Sequence, residues 1–236
     1  MLFAVGILSG ATAAVIGFGI GSLLTPLLII HLDPELAVAA VAMPHLFATA
    51  LRYVRHAAAV HRATFLRFGL WSAAGGLAGA LLQARMSGPT LLALLGALLL
   101  ATGVAGMTGT FGGRQPPPRI ALALGLLSGL FGGLAGNQGG LRAAGLLGFD
   151  LSPRAFLATS TAVALVVDLA RTPVYLVRAG PALWILAVPI AVAALGCLVG
   201  TVWGERLFHR ISPAAYRRLV GAAVSAVGLW LLLRGT

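Results

Sequence analysis

Four features of this chain recur at one spacing, and that doubling constrains the fold more than any single motif does. Ser9-Gly10 returns as Ser128-Gly129, the break Gly17-Phe18-Gly19-Ile20-Gly21 as Gly136-Asn137-Gln138-Gly139-Gly140, Pro34 as Pro153 and Arg52 as Arg171, each 119 residues further on (128 − 9 = 119). The chain therefore reads as two diverged copies of one unit, 1–110 and 120–236, each opening with an apolar segment interrupted by glycine. The joint between them, 111–119, carries Pro116, Pro117 and Pro118, and this proline run ends one copy and starts the next.

Composition says what such a unit lives in. Of 236 residues, 59% are hydrophobic and 9% charged, and the mean hydropathy is +1.00. Too few polar side chains remain to cover a water-facing surface, so the chain is an integral membrane protein, and an all-α one. All 16 basic residues are arginines and the net charge is +11. They sit in short gaps between apolar runs, which suits topology and anionic lipid head groups and argues against nucleic acid. Cys197 stands alone inside an apolar run, so no disulfide or Cys-based metal site forms within the chain. The start, Met1-Leu2-Phe3-Ala4, lacks a positive region and does not read as a cleaved signal peptide.

The apolar runs cover roughly 4–30, 35–58, 64–84, 88–110, 120–148, 153–177, 182–204 and 213–233. A hydrocarbon core of about 30 Å takes about 20 helical residues, so six runs read as simple spans. In 4–30 and 120–148 the glycines fall near the centre and leave arms of about a dozen residues, each long enough for about half the bilayer. Glycine tolerates positive φ and weakens a helix, so the cluster marks either a reversal or a broken helix. Loop charge separates the two. If both segments return to their own side, the counted arginines split 11 to 3; if both cross, they split 8 to 6. Basic loops stay cytoplasmic, which favours the lopsided solution. Each repeat is then a re-entrant hairpin plus three spans, the second copy is inverted relative to the first, and both termini are expected on the non-cytoplasmic side.

Interrupted helices inside a membrane carry their own chemistry. The freed N–H groups at the start of the second half-helix lack partners and hold a partial positive charge. Gly17, Phe18, Gly19 and Gly21 at one tip, and Gly136, Asn137, Gln138, Gly139 and Gly140 at the other, thus outline an anion site, with the two amides as uncharged donors. Arg142, two residues beyond Gly140, is the candidate cation at that site. The competing reading is that the glycines only let helices pack closely.

The order and duplication of these motifs resemble the sulfite exporter TauE/SafE family of membrane permeases. The resemblance rests on a Leu-Ser-Gly arm, a G-x-G-x-G or G-x-x-G-G break, a second apolar arm, a loop with proline and the Thr159-Ser160 step in the next helix. It spans essentially the whole chain. It implies a cell-membrane transporter of the bacterial inner-membrane kind for sulfite or related sulfur oxyanions and organosulfonates, without a bound cofactor, and adds Thr159 and Ser160 to the substrate site. This chain departs from the family in its tips, which are poorer in consecutive glycines, and in having Ala40-Val41 where the second repeat has Thr159-Ser160.

Three further ionisable groups lie at membrane depth, where a charge needs a partner or a polar cavity. Asp168 and Arg171, three apart on one helical face, and His45 after Pro44 are read as a gating or coupling set, with a structural ion pair and a neutral interhelical histidine as the plain alternatives. Arg52 lies near a span end and reads as a snorkelling, topology-setting residue. His56 and His61 have no carboxylate or cysteine nearby, so no metal site is expected. No Walker A sequence occurs, and no nucleophile–base pair or His/carboxylate cluster marks an enzyme. The chain is expected to be a secondary transporter of small anions, with a passive anion channel lined by the same hairpins as the alternative. A homodimer in the bilayer is compatible with either.

Overall fold

The computed structural model of the chain describes residues 1–17, 19–109, 115–207 and 212–234. Within them, left-handed glycines decide where the interrupted segments break. Helix α1 (Leu2–Ile16) stops at Gly17, whose φ of 88° ends the helix and whose N–H caps the Ala13 carbonyl. Gly19, at φ 137°, then starts α2 (Ile20–Ile29). Three long helices follow: α3 (Pro34–His56), α4 (Arg62–Gln83) and α5 (Gly88–Thr108). Then α6 (Pro118–Ala135) stops at Gly136, at φ 70°, capping the Gly132 carbonyl, and α7 (Gly139–Leu146) begins after Gln138. The chain ends with α8 (Pro153–Ile185), α9 (Ala187–Leu207) and α10 (Pro213–Arg234). Proline opens α3 and α8, where its missing N–H costs nothing, and the Ser152 hydroxyl accepts from Ala155 N–H to cap α8.

Among the described residues seven helices, α3, α4, α5, α6, α8, α9 and α10, are long and apolar enough to cross a membrane. Their outward faces carry exposed Leu, Val and Trp side chains, including Trp71, Trp184, Trp203 and Trp230, as a bundle immersed in lipid should. Arg234 lies 4.6 Å from the Trp230 ring centroid, a cation–π pair at the last turn.

Both interrupted segments turn back on themselves. A side chain on Gly145 would meet the Ala121 carbonyl at 3.1 Å and one on Gly148 the Pro116 carbonyl at 2.7 Å, so the end of α7 lies against the start of α6. Val5 and Leu8 of α1 line one groove with Leu27 and Ile30 at the end of α2. At about 15 Å and 12 Å, α2 and α7 span about half a bilayer each. The open end of the first hairpin shares its level with the start of α3 and the end of α8, since Leu32 and Leu186 line one pocket and Asp33 and Glu35 share another with Arg178. The second sits with the starts of α4 and α8, where Phe149 packs edge-on against Phe68 (6.1 Å, 88°) and Thr159 accepts a hydrogen bond from His61 N–H.

Helix pairing follows a matched plan: α1 packs on α9 and α6 on α4, α3 packs on α8 and α5 on α10. Glycine makes these contacts close. A Cβ on Gly129 would fall 1.9 Å from the Ser72 carbonyl, on Gly133 2.1 Å from the Gly76 carbonyl, and on Gly10 2.1 Å from the Cys197 carbonyl. With no hydrophobic drive between helices in lipid, backbone-to-backbone packing of this kind holds the bundle together.

Two boundaries differ from expectation. The gap expected between 177 and 182 is helix: α8 runs for 33 residues through Pro173 and Pro181, and only Leu186 separates it from α9. Arg52, expected to snorkel near a span end, is a buried residue of α3, 4% exposed. The helix continues for another turn past it, so its guanidinium points into the bundle rather than out to head groups.

Candidate functional site

The two tips meet. A Cβ on Gly21 would lie 2.1 Å from the Gly136 carbonyl, so the start of α2 rests directly on the break of the second hairpin. Only glycine permits that approach. Phe18 lies outside the described residues. Gly19 is pinned from the other side, a Cβ there falling 2.6 Å from Thr12 Cγ2.

At the second tip the polar side chains are buried and incompletely used. Asn137 donates from Nδ2 to Thr102 Oγ1 of α5 at 3.4 Å. Gln138, 3% exposed, has no partner on either its amide nitrogen or its oxygen. One turn along α7, Arg142 is 2% exposed. Its Nε donates to Ser160 Oγ at 2.9 Å and its Nη2 to the Gly17 carbonyl at 3.1 Å, while Nη1 has no partner. Arg142 thereby bridges α7, α8 and the first tip with one donor nitrogen, Nη1, to spare. Gln138 and Arg142 are four apart and share a helical face. Gly139 and Gly140 are buried in the first turn of α7.

Thr159 and Ser160 face different ways. Ser160 accepts from Arg142 at the tip, whereas the Thr159 hydroxyl accepts from His61 N–H at the start of α4. The structure brings one of the pair to the tip.

Asp168, His45 and Arg171 form one buried cluster. His45 Nδ1 lies 2.6 Å from Asp168 Oδ2, and the second carboxylate oxygen takes Arg171 Nε at 3.0 Å and Nη2 at 2.8 Å. Arg171 Nη1 also donates to the Gly132 carbonyl, and the Tyr175 hydroxyl donates to the Gly133 carbonyl. These carbonyls belong to the last turn of α6, the negative end of that helix, where a cation is stabilised. The cluster therefore ties α3 and α8 to the second hairpin just before its break.

Arg52 completes the arrangement, and hydropathy alone missed it. It donates from Nη1 to the Ala13 carbonyl in the last turn of α1 and from Nη2 to Thr49 Oγ1 at 3.3 Å. The available signal was its match to Arg171 in the repeat. Arg142 interacts electrostatically with Arg52, Asp168 and Arg171, so three guanidinium groups and one carboxylate share the centre of the bundle. With His45 neutral their formal charge is +2 (3 − 1 = 2). An excess of buried positive charge beside unpaired N–H donors is an environment for an anion.

Among the described residues, seven helices long and apolar enough to cross a membrane, one of them an arm of the second hairpin, and two hairpin tips that touch beside buried arginines define a multi-pass membrane protein with a polar centre. The family described as sulfite exporter TauE/SafE matches residues 2–231. The chain belongs to that family of membrane exporters and permeases. No curated protein and no solved structure matches it.

Proposed function

We propose that this protein is a secondary transporter that carries a small anion, sulfite or a related sulfur oxyanion or organosulfonate, between the two hairpin tips. The observation that carries this reading is the pair of buried, unsatisfied groups on one face of α7: the Gln138 amide and Arg142 Nη1. A buried donor left unpaired costs about 1–3 kcal/mol, more when charged, and an oxyanion would accept from Gln138 Nε2 and Arg142 Nη1 at once. The N–H groups opening α2 and α7 add partial positive charge beside them.

The two halves act as inverted repeats. In support, the hairpins open at levels of the bundle defined by opposite ends of α3, and helix pairing is the same when the halves are exchanged. One set of helices then rocks against the other around the tips, which is how repeat-built transporters expose a central site to each side in turn. His45, Asp168 and Arg171 are the coupling or gating set, and the protein resides in the cell membrane with both termini on the non-cytoplasmic face.

The test is sulfite flux in proteoliposomes. Gln138→Ala and Arg142→Ala should each cut flux about tenfold or more, the cost of losing one charge-assisted hydrogen bond of about 1.5 kcal/mol. Arg62→Ala, on an exposed position at the start of α4, should change it little. Equal losses at all three positions would remove the tip from the site. Flux that never saturates and shows no counterflow would instead assign the hairpins to a channel.

A further inference from the structure

We propose that Arg52 is the centre of a second anion-binding subsite, beside the first hairpin and distinct from Arg142, that takes a small oxyanion such as sulfite. This rests on the reading that the chain handles small anions, but not on Arg142 being their site.

The argument starts from a broken symmetry. Arg171 and Arg52 occupy the same place in the two repeats and each donates to a last-turn carbonyl of its own hairpin, Gly132 and Ala13, again 119 residues apart (132 − 13 = 119). Arg171 has Asp168 three residues before it, close enough for two contacts with its guanidinium. The corresponding position before Arg52 is Thr49, a hydroxyl that accepts one hydrogen bond and carries no charge. Among the described residues no carboxylate pairs with Arg52, and its Nε has no partner although the residue is 4% exposed. Asp168 reaches Arg52 only through longer-range electrostatics, so a buried guanidinium with no direct carboxylate contact among the described residues is left for an incoming anion to pair.

The surroundings fit an anion. Arg52 lines a small pocket between α1, α3, α8 and α9 together with Arg55, His56, Thr161 and Thr201. Thr201, on α9, is 1% exposed and its hydroxyl has no partner, so a second free donor faces the same pocket. Arg55, exposed at the rim, adds a charge that draws anions inward. Among the described residues no acidic side chain lines the pocket.

The experiment counts bound radiolabelled sulfite per chain by equilibrium dialysis of the full-length protein in detergent, with and without added phosphatidylglycerol. Wild type should bind two ions. Thr49→Asp, which gives Arg52 the internal partner that Arg171 has, should bind one, and so should Arg52→Gln; Arg52→Lys, which keeps the charge, should bind two. Should Thr49→Asp lower the melting temperature enough to signal misfolding, the contrast between Arg52→Gln and Arg52→Lys decides. Wild-type stoichiometry in both charge-removing variants overturns the subsite. One ion in wild type, lost in Arg142→Gln and kept in Thr49→Asp, overturns it and leaves the tip site standing. One ion kept in Arg142→Gln and lost in Thr49→Asp supports it and overturns the tip site instead. No binding at all overturns both. Displacement of one sulfite by phosphatidylglycerol would assign the pocket to a lipid head group and overturn the subsite as stated.

Discussion

Arg52 and Arg171 do the same work at corresponding places, each reaching from a long helix to the last-turn carbonyl of the hairpin arm in its own half, Ala13 and Gly132. Those same two carbonyls accept the N–H of Gly17 and Gly136, the glycines that turn the chain. Each carbonyl thus takes two donors, which is within the capacity of its two lone pairs. The arginines hold the hairpins where they break.

Removing Arg171 should therefore be costly for a second reason. Asp168 is fully buried and would be left with His45 alone. Breaking a buried ion pair from one side typically costs about 3–5 kcal/mol, because a charge stays behind. Arg171→Ala should lower the melting temperature in detergent sharply, and the double variant with Asp168→Ala should recover part of the loss. A single variant that melts like wild type would show the pair to be dispensable for the fold.

The contact between tips separates two glycines that look alike in the sequence. Gly17 needs its left-handed φ of 88° but has open space where a Cβ would go, whereas Gly21 faces the Gly136 carbonyl at 2.1 Å. Gly17→Ala should cost roughly 1–2 kcal/mol of backbone strain and leave sulfite flux measurable. Gly21→Ala has to push the tips apart and should abolish flux even where the protein still folds. Comparable flux in both variants would mean that the close approach is not needed.

The two glycine breaks and the buried Asp168–Arg171 pair were legible because glycines and ionisable residues inside apolar runs are local signals, and the repeat marked the breaks twice. Arg52 was not, because hydropathy places a span end at 58 and treats any arginine close to it as surface. The helical continuation to His56 and the inward tilt that buries Arg52 are tertiary facts. The long α8 escaped for a similar reason. Arg178-Ala179-Gly180-Pro181 has the composition of a loop, yet helix persists through it, since one missing proline N–H removes only one hydrogen bond. Pairing of α1 with α9 and of α6 with α4 likewise has no local signature beyond glycines at four-residue spacing.

That spacing yields a contrast of its own. Gly129→Ala would drive a methyl group to 1.9 Å from the Ser72 carbonyl at the α4–α6 crossing, where both partners are backbone and cannot step aside. Gly180, in α8, has nothing within 4 Å of its Cβ position. Gly180→Ala should be neutral or stabilise by up to about 1 kcal/mol through helix propensity, while Gly129→Ala should destabilise. Thermal melts of the two purified variants, compared side by side, decide it; a destabilised Gly180→Ala would point to a bend that the glycine is needed for.

His45 offers the test of coupling. Its Nδ1 shares the Asp168 carboxylate with Arg171 of α8, Thr49 and Arg52 flank it on its own helix, and the Cys197 thiol of α9 packs in the same cluster as neighbouring α3 residues. One carboxylate cannot neutralise both cations, so a proton gained or lost at His45 changes the charge of a buried group that links α3, α8 and the second hairpin. A charge change there biases which arrangement of those helices is favoured, which is what coupling requires. Exchange of sulfite across the membrane with equal concentrations on both sides needs no net proton, but accumulation driven by a pH gradient does. His45→Gln should therefore retain sulfite exchange in proteoliposomes and lose the acceleration produced by an imposed pH gradient. If the variant still accumulates sulfite under that gradient as wild type does, the proton is carried elsewhere and His45 is a structural link between helices.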